Sequence, residues 1–297
     1  MALSRLVPIL VWLGSVLVLP APFAARGMLV VPLVLVPLSL ANGLGPFRNI
    51  RGQTRRRLVV LSFAAATLLL PAYVNQTGTI AAAFAVPWFA FCGSLAAVAV
   101  TAGIRSLPRV LLPSKADALL ADAAFVLLAV GATFVLLERG GVDVLGVGPS
   151  IVLITAVHFH VLGFALVAVA ALLAAREHRL ARAATYPLLA GIALTASGFT
   201  FASTTLQWIG ALTVVLGGLL TVGALAAEAR VLAGWRRVGA ISAAGLLVVG
   251  IPMGLAWATA LQLGASFADF GTMVATHGAL NTIGTTVAAL AVFETTK

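Results

Sequence analysis

The sequence predicts an all-α integral membrane protein from three observations: its composition, the length of its apolar runs and the position of its basic residues. Hydrophobic residues fill 62% of the 297 positions and charged residues only 9%, where a soluble domain carries about 25% charged residues. Mean hydropathy is +1.14. A chain of this kind cannot cover a water-facing surface, so a lipid bilayer is its expected partner.

Windows of about 20 apolar residues mark membrane-spanning helices. About ten follow, near residues 5–22, 28–44, 58–74, 79–103, 117–137, 150–175, 185–203, 207–229, 238–262 and 269–293, in one polytopic domain over 1–297. The seventh and eighth are separated only by residues 203–207. Gly, Ala, Ser and Thr are frequent throughout, which suits helix association in lipid through close small-residue contact. With the N-terminus in the cytoplasm, sixteen of the eighteen basic residues fall in cytoplasmic connections, and only Arg26 and Arg139 fall outside. That bias predicts an N-in, C-in topology. Arg5, the apolar run and PAPFAARG also suit a signal peptide, although the charge alternation counts the segment as a helix.

The formal charge of +10 is no nucleic-acid signature, because the arginines form short clusters between apolar runs and build no basic face. Cys92 is the single cysteine, so neither an intrachain disulfide nor a cysteine-based metal site is available. No glycine-rich phosphate loop, serine-nucleophile elbow, paired carboxylates or dinucleotide fingerprint occurs. No cofactor is expected.

Three histidines interrupt the apolar segments: His158 and His160 in AVHFHVLGF, and His277 in ATHGALNTIG. Ionisable groups inside a membrane are costly and mark functional sites by default. All three lie about 8–10 residues from the outer end of their helix, roughly 12–15 Å at the helical rise. His277 and Asn281 are four apart and share a helix face, so Asn281 is expected to orient the imidazole. His158 and His160 differ by about 200° of turn. Either the sixth helix is central and touches two partners, or it is distorted near Gly163. One of the pair is expected to face His277 and the other to make a structural hydrogen bond. The HxH spacing works against a metal site on a helix, and no metal is expected. Trp88, Phe159, Ser197, Thr200 and Trp257 reach the same layer as candidate substrate-lining residues, while the bland alternatives are packing and backbone hydrogen bonds.

The segments AVHFHVLGF (156–164), HGALNTIG (277–284) and VPLVLVPLSLAN (31–42) resemble the YndJ-like family of bacterial multi-pass membrane proteins. The resemblance implies a location in the bacterial cell membrane. It marks His158, His160, His277 and Asn281 as positions of interest without assigning them roles, and the family is often labelled transporter-like.

Three functions are compatible with these features. The first is an intramembrane enzyme using histidine acid–base chemistry (isomerisation, cyclisation or epoxide opening) on a lipophilic, isoprenoid-like small molecule. The second is a transporter or proton-linked carrier, against which stands the lack of an internal repeat. The third is a non-catalytic partner or sensor subunit. Substrate identity and oligomeric state are not encoded in these patterns.

Overall fold

The computed structural model describes residues 3–110, 116–265 and 269–293. Lys115, Glu294 and Lys297, and the side chains of Arg5 and Arg109, lie outside the described residues. Among the described residues all regular structure is helical. The rods are α1 (Leu3–Val18), α2 (Phe23–Ala41), α3 (Gly52–Val74), α4 (Thr79–Val110), α5 (Ala116–Gly140), α6 (Pro149–Ala175), α7 (Arg179–Thr200), α8 (Thr204–Glu228), α9 (Gly234–Gln262) and α10 (residues 270–292). Seven of them, α2 to α6 with α8 and α9, are long and apolar enough to cross a membrane.

Three rods are interrupted by π-helical turns, at Val31–Leu35 in α2, Phe159–Leu166 in α6 and Val274–Gly278 in α10. Such turns carry i→i+5 hydrogen bonds, are rare, and recur at functional sites. The distortion expected near Gly163 is thus a π-helical stretch that begins between His158 and His160. Gly163 itself packs against Leu127, whose Cβ would lie 3.1 Å from a methyl group added there.

The chain forms two compact units. One comprises residues 1–107, 121–165 and 293–297, and the other residues 108–120 and 166–292. In the first, α2 is the most buried rod: Leu29, Leu33, Leu35 and Leu40 lose essentially all exposure. It packs against α1, α3 and the first part of α6. Its C-terminal carbonyls would lack partners, and Arg55 supplies one by donating from Nη1 to Ala41 O at 3.4 Å and from Nη2 to Arg48 O at 3.1 Å. This draws the RGQTRRR run into helix, so α3 starts at Gly52, several residues before the apolar run. At the other end of α2, Arg26 Nη1 donates to Val16 O at 2.9 Å and Trp12 Nε1 to Arg26 O at 3.3 Å, closing the turn from α1. Phe125 meets Phe47 edge-on at 4.9 Å and Phe164 at 5.7 Å.

In the second unit α7 and α8 form a tight hairpin, α8 packs on α9, and α9 on α10. The narrow break between the seventh and eighth apolar segments is real. α7 stops at Thr200, Ala202 takes a positive φ of 49°, and Ser203 caps α8 by accepting from Leu206 N at 3.3 Å. α10 opens on Asp269, whose carboxylate accepts from the Thr272 backbone N at 2.8 Å and hydroxyl at 2.6 Å. The Thr272 side-chain bond, seconded by the backbone N–H groups, holds this exposed carboxyl below the usual aspartate range. It is the N-terminal acidic cap expected from the helix dipole.

Candidate functional site

Residues 158–160 belong to the first unit and His277 to the second, so each imidazole is described with the neighbours of its own unit. His160 is fully buried. Its Nδ1 lies 2.8 Å from Ala156 O, and a carbonyl only accepts, so Nδ1 carries the proton. Nε2 then accepts from Trp88 Nε1 at 3.2 Å, the two rings lying 6.2 Å apart and 24° from parallel. Both nitrogens are satisfied in the neutral ring, so the pair joins α6 to α4 in one tautomer. Gly131 of α5 makes room for it: a Cβ there would come within 2.7 Å of His160 Nδ1. His158 points elsewhere. It is exposed, with Nδ1 2.9 Å from Ile154 O. Phe159 stacks on Phe134, rings 6.2 Å apart and 11° from parallel.

In the second unit His277 sits in the π-helical turn of α10 and reaches α9. Its Nδ1 is 2.7 Å from Gly250 O. By the same logic Nδ1 bears the proton, and Nε2 becomes the nitrogen with the lone pair. Asn281 lies one turn on. Its Nδ2 donates to His277 O at 2.9 Å and stands 3.0 Å from His277 Nδ1, a contact between two donors and not a hydrogen bond while Nδ1 carries the proton. Asn281 Oδ1 is buried and has no hydrogen-bond partner. It leans on Gly250, where a Cβ would fall within 2.9 Å of it. A Cβ on Gly254 would fall within 2.6 Å of His277 Cε1 and 3.3 Å of Nε2. Two glycines one helical turn apart on α9 therefore form the floor under the His277–Asn281 pair.

Trp257 lies three residues beyond Gly254 on the same side of α9, and its ring meets Phe270 at 6.2 Å. Thr200 is exposed and returns its hydroxyl to Ala196 O at 3.0 Å, the ordinary backbone bond of such residues. Ser197 is half-buried on the same helix. No cluster of three or more His, Cys, Asp or Glu side chains able to hold a metal occurs among the described residues.

Residues 27–285 match the family model described as YndJ-like protein. The chain belongs to the YndJ-like family. No match is found for it among curated proteins or solved structures. The family region of this YndJ-like chain takes in the three π-helical turns described above, and each turn overlaps one of the three segments whose sequences carry the family likeness.

Hydropathy and spacing pointed to the histidines but missed what surrounds them. Gly131, Gly250 and Gly254 were unremarked among 29 glycines, because their role appears only when a ring from another helix lies against them. A second polar site lies at the end of α5, where neighbouring Glu138 and Arg139 suggest a pair by sequence but Tyr73 and Ala72 do not. Arg139 at the end of α5 pairs side-on with Glu138, donating Nε to Oε2 at 2.6 Å and Nη2 to Oε1. It sends Nη1 to Ala72 O at 3.2 Å and covers the Tyr73 ring at 4.5 Å.

Proposed function

We propose that the chain is a multi-pass membrane enzyme in which His277 exchanges a proton with a lipophilic, isoprenoid-like small molecule. The observation that carries this reading is the 2.7 Å approach of His277 Nδ1 to Gly250 O, which holds the ring by one nitrogen in both its neutral and its charged states. Asn281 acts as a positioning residue. Its bare Oδ1 suits a hydroxyl or amide donor of the substrate. Trp257 and Phe270 offer an aromatic wall that fits an apolar skeleton or a developing cation. The Trp88–His160 bond is assigned a structural part within the first unit.

A positioned acid or base contributes about 10²–10⁴-fold to rate. His277→Ala is therefore expected to lower turnover by at least about 10²-fold, and to make a precursor with an altered carbon skeleton accumulate in cells profiled for lipophilic metabolites. Asn281→Ala should give a smaller loss. A proton-linked carrier is the second reading, favoured by the three helices interrupted in π turns. It predicts unchanged chemistry with altered distribution of a metabolite across the membrane. An unchanged metabolite profile in both variants would defeat both readings.

We also propose that all ten rods cross the membrane, with both termini cytoplasmic, on the strength of the sixteen-to-two distribution of basic residues. Cys92 is buried, so a Cys92→Ala background suits site labelling. Cysteines at exposed Gln76 and Val142 should react with an impermeant maleimide in intact cells. Cysteines at exposed Gln53 and Arg237 should react only after permeabilisation. The reverse pattern would overturn the orientation.

A further inference from the structure

At one end of the first unit the Pro20–Pro22 turn, the residues following Tyr73 and Arg139 line an open pocket of about 360 Å³, within the range of small-molecule sites. Four of the apolar rods begin or end around it, at Phe23, Val74, Thr79 and Gly140. The pocket is built and held in shape. Gly78 N donates to Arg139 O at 2.7 Å, tying the turn after α3 to the end of α5, and Asn75 Nδ2 donates to Pro71 O at 2.7 Å.

Two features of its lining ask for a ligand. Tyr73 is only 2% exposed, yet its hydroxyl has no hydrogen-bond partner, and a buried hydroxyl in that state is a standing cost unless something fills it. Arg139, 7% exposed, spends three of its five N–H groups on Glu138 and Ala72 and keeps two. The charge balance selects the ligand class. Glu138 neutralises Arg139 along one edge and would repel an anion drawn to the same guanidinium. What is left is an uncharged site with donors from Arg139 and Tyr73, plus the mixed donors and acceptors of Asn75, Gln76 and Thr77. Closely spaced hydroxyl groups, each both donor and acceptor, complement that set.

We infer that this pocket binds an uncharged polyhydroxyl group, either a free sugar or the glycosyl head of a lipid. The site is separate from His277 and does not depend on its role. The test uses the full-length protein in phosphatidylcholine vesicles and follows its melting temperature. One arm adds free glucose and the other adds monoglucosyl diacylglycerol to the bilayer. A ligand that binds the folded state raises the melting point with concentration, here by about 2–4 °C, and the arm that responds identifies the source. Tyr73→Phe removes only the unpartnered hydroxyl. It is expected to keep or raise the melting point without ligand and to lose most of the ligand-dependent shift. The proposal is overturned if neither arm shifts the wild type, if Tyr73→Phe responds as fully as wild type, or if inorganic phosphate stabilises the protein and the sugars do not.

Discussion

Gly210→Ala is expected to destabilise the folded protein by about 3 kcal/mol, the upper end of the usual cost of overpacking. The reason lies in the α7–α8 hairpin, where backbone packs on backbone. A Cβ on Gly210 would come within 2.5 Å of Thr195 N, one on Gly191 within 2.5 Å of Val214 N, one on Gly198 within 2.5 Å of Gln207 N, and one on Gly217 within 2.7 Å of Leu188 N. Four glycines, two from each helix, thus face the partner's main chain. Backbone cannot step aside as a flexible side chain can, so a single methyl group must push two helices apart. Association in lipid depends on this closeness, because burial from lipid gains no hydrophobic free energy. Gly93 and Gly245 supply the control: each lies inside a helix with nothing within 4 Å of an added Cβ. Alanine there should be neutral or stabilising by up to about 1 kcal/mol through helix propensity. Reversible unfolding in mixed micelles would measure all three variants. Equal stability of Gly210→Ala and Gly245→Ala would refute the close approach.

The seven long apolar rods were legible in the sequence because a bilayer demands about 20 apolar residues in a row, and these helices follow such runs. Their ends were less legible. α3 begins at Gly52 because Arg55 reaches the carbonyl ends of α2, and no hydropathy window registers a side chain acting as another helix's cap. The His277–Asn281 pair was legible from a spacing of four, which a helix turns into a shared face. The π turn that contains His277 was not, since its i→i+5 bonds leave no signature in residue type. Trp88 and His160 lie 72 positions apart, and their bond was beyond reach of local pattern, although one histidine of the pair was expected to be structural. The pocket at Tyr73 was invisible for the same reason. It exists only where three chain segments meet, and two of its walls are ordinary helix ends.

Glu228→Ala should produce the second large effect, a loss of about 3 kcal/mol, near the cost of removing one partner of a buried ion pair. Glu228 ends α8 and is 5% exposed. Its Oε1 accepts from Arg176 Nη1 at 2.6 Å and its Oε2 from His178 Nε2 at 2.7 Å. The cost follows from removing the negative charge that two donors from the α6–α7 connection converge on. The consequence reaches a third helix. Arg176 Nη2 donates to Val292 O at 2.6 Å and Arg236 Nε to Ala291 O at 2.7 Å, so two guanidinium groups hold carbonyls that α10 cannot satisfy internally. Arg176 is aimed at Val292 by its bond to Glu228, and without that bond the end of α10 should fray. Amide exchange in residues 286–293 should then rise well above wild type, while exchange in the α7–α8 hairpin stays slow. Glu228→Gln keeps the acceptor toward Arg176 and the side-chain shape, so it should recover part of the stability and most of the protection. If Glu228→Ala lowers stability with no local change in α10, the cluster acts through charge alone and Arg176 is not the link to the last helix.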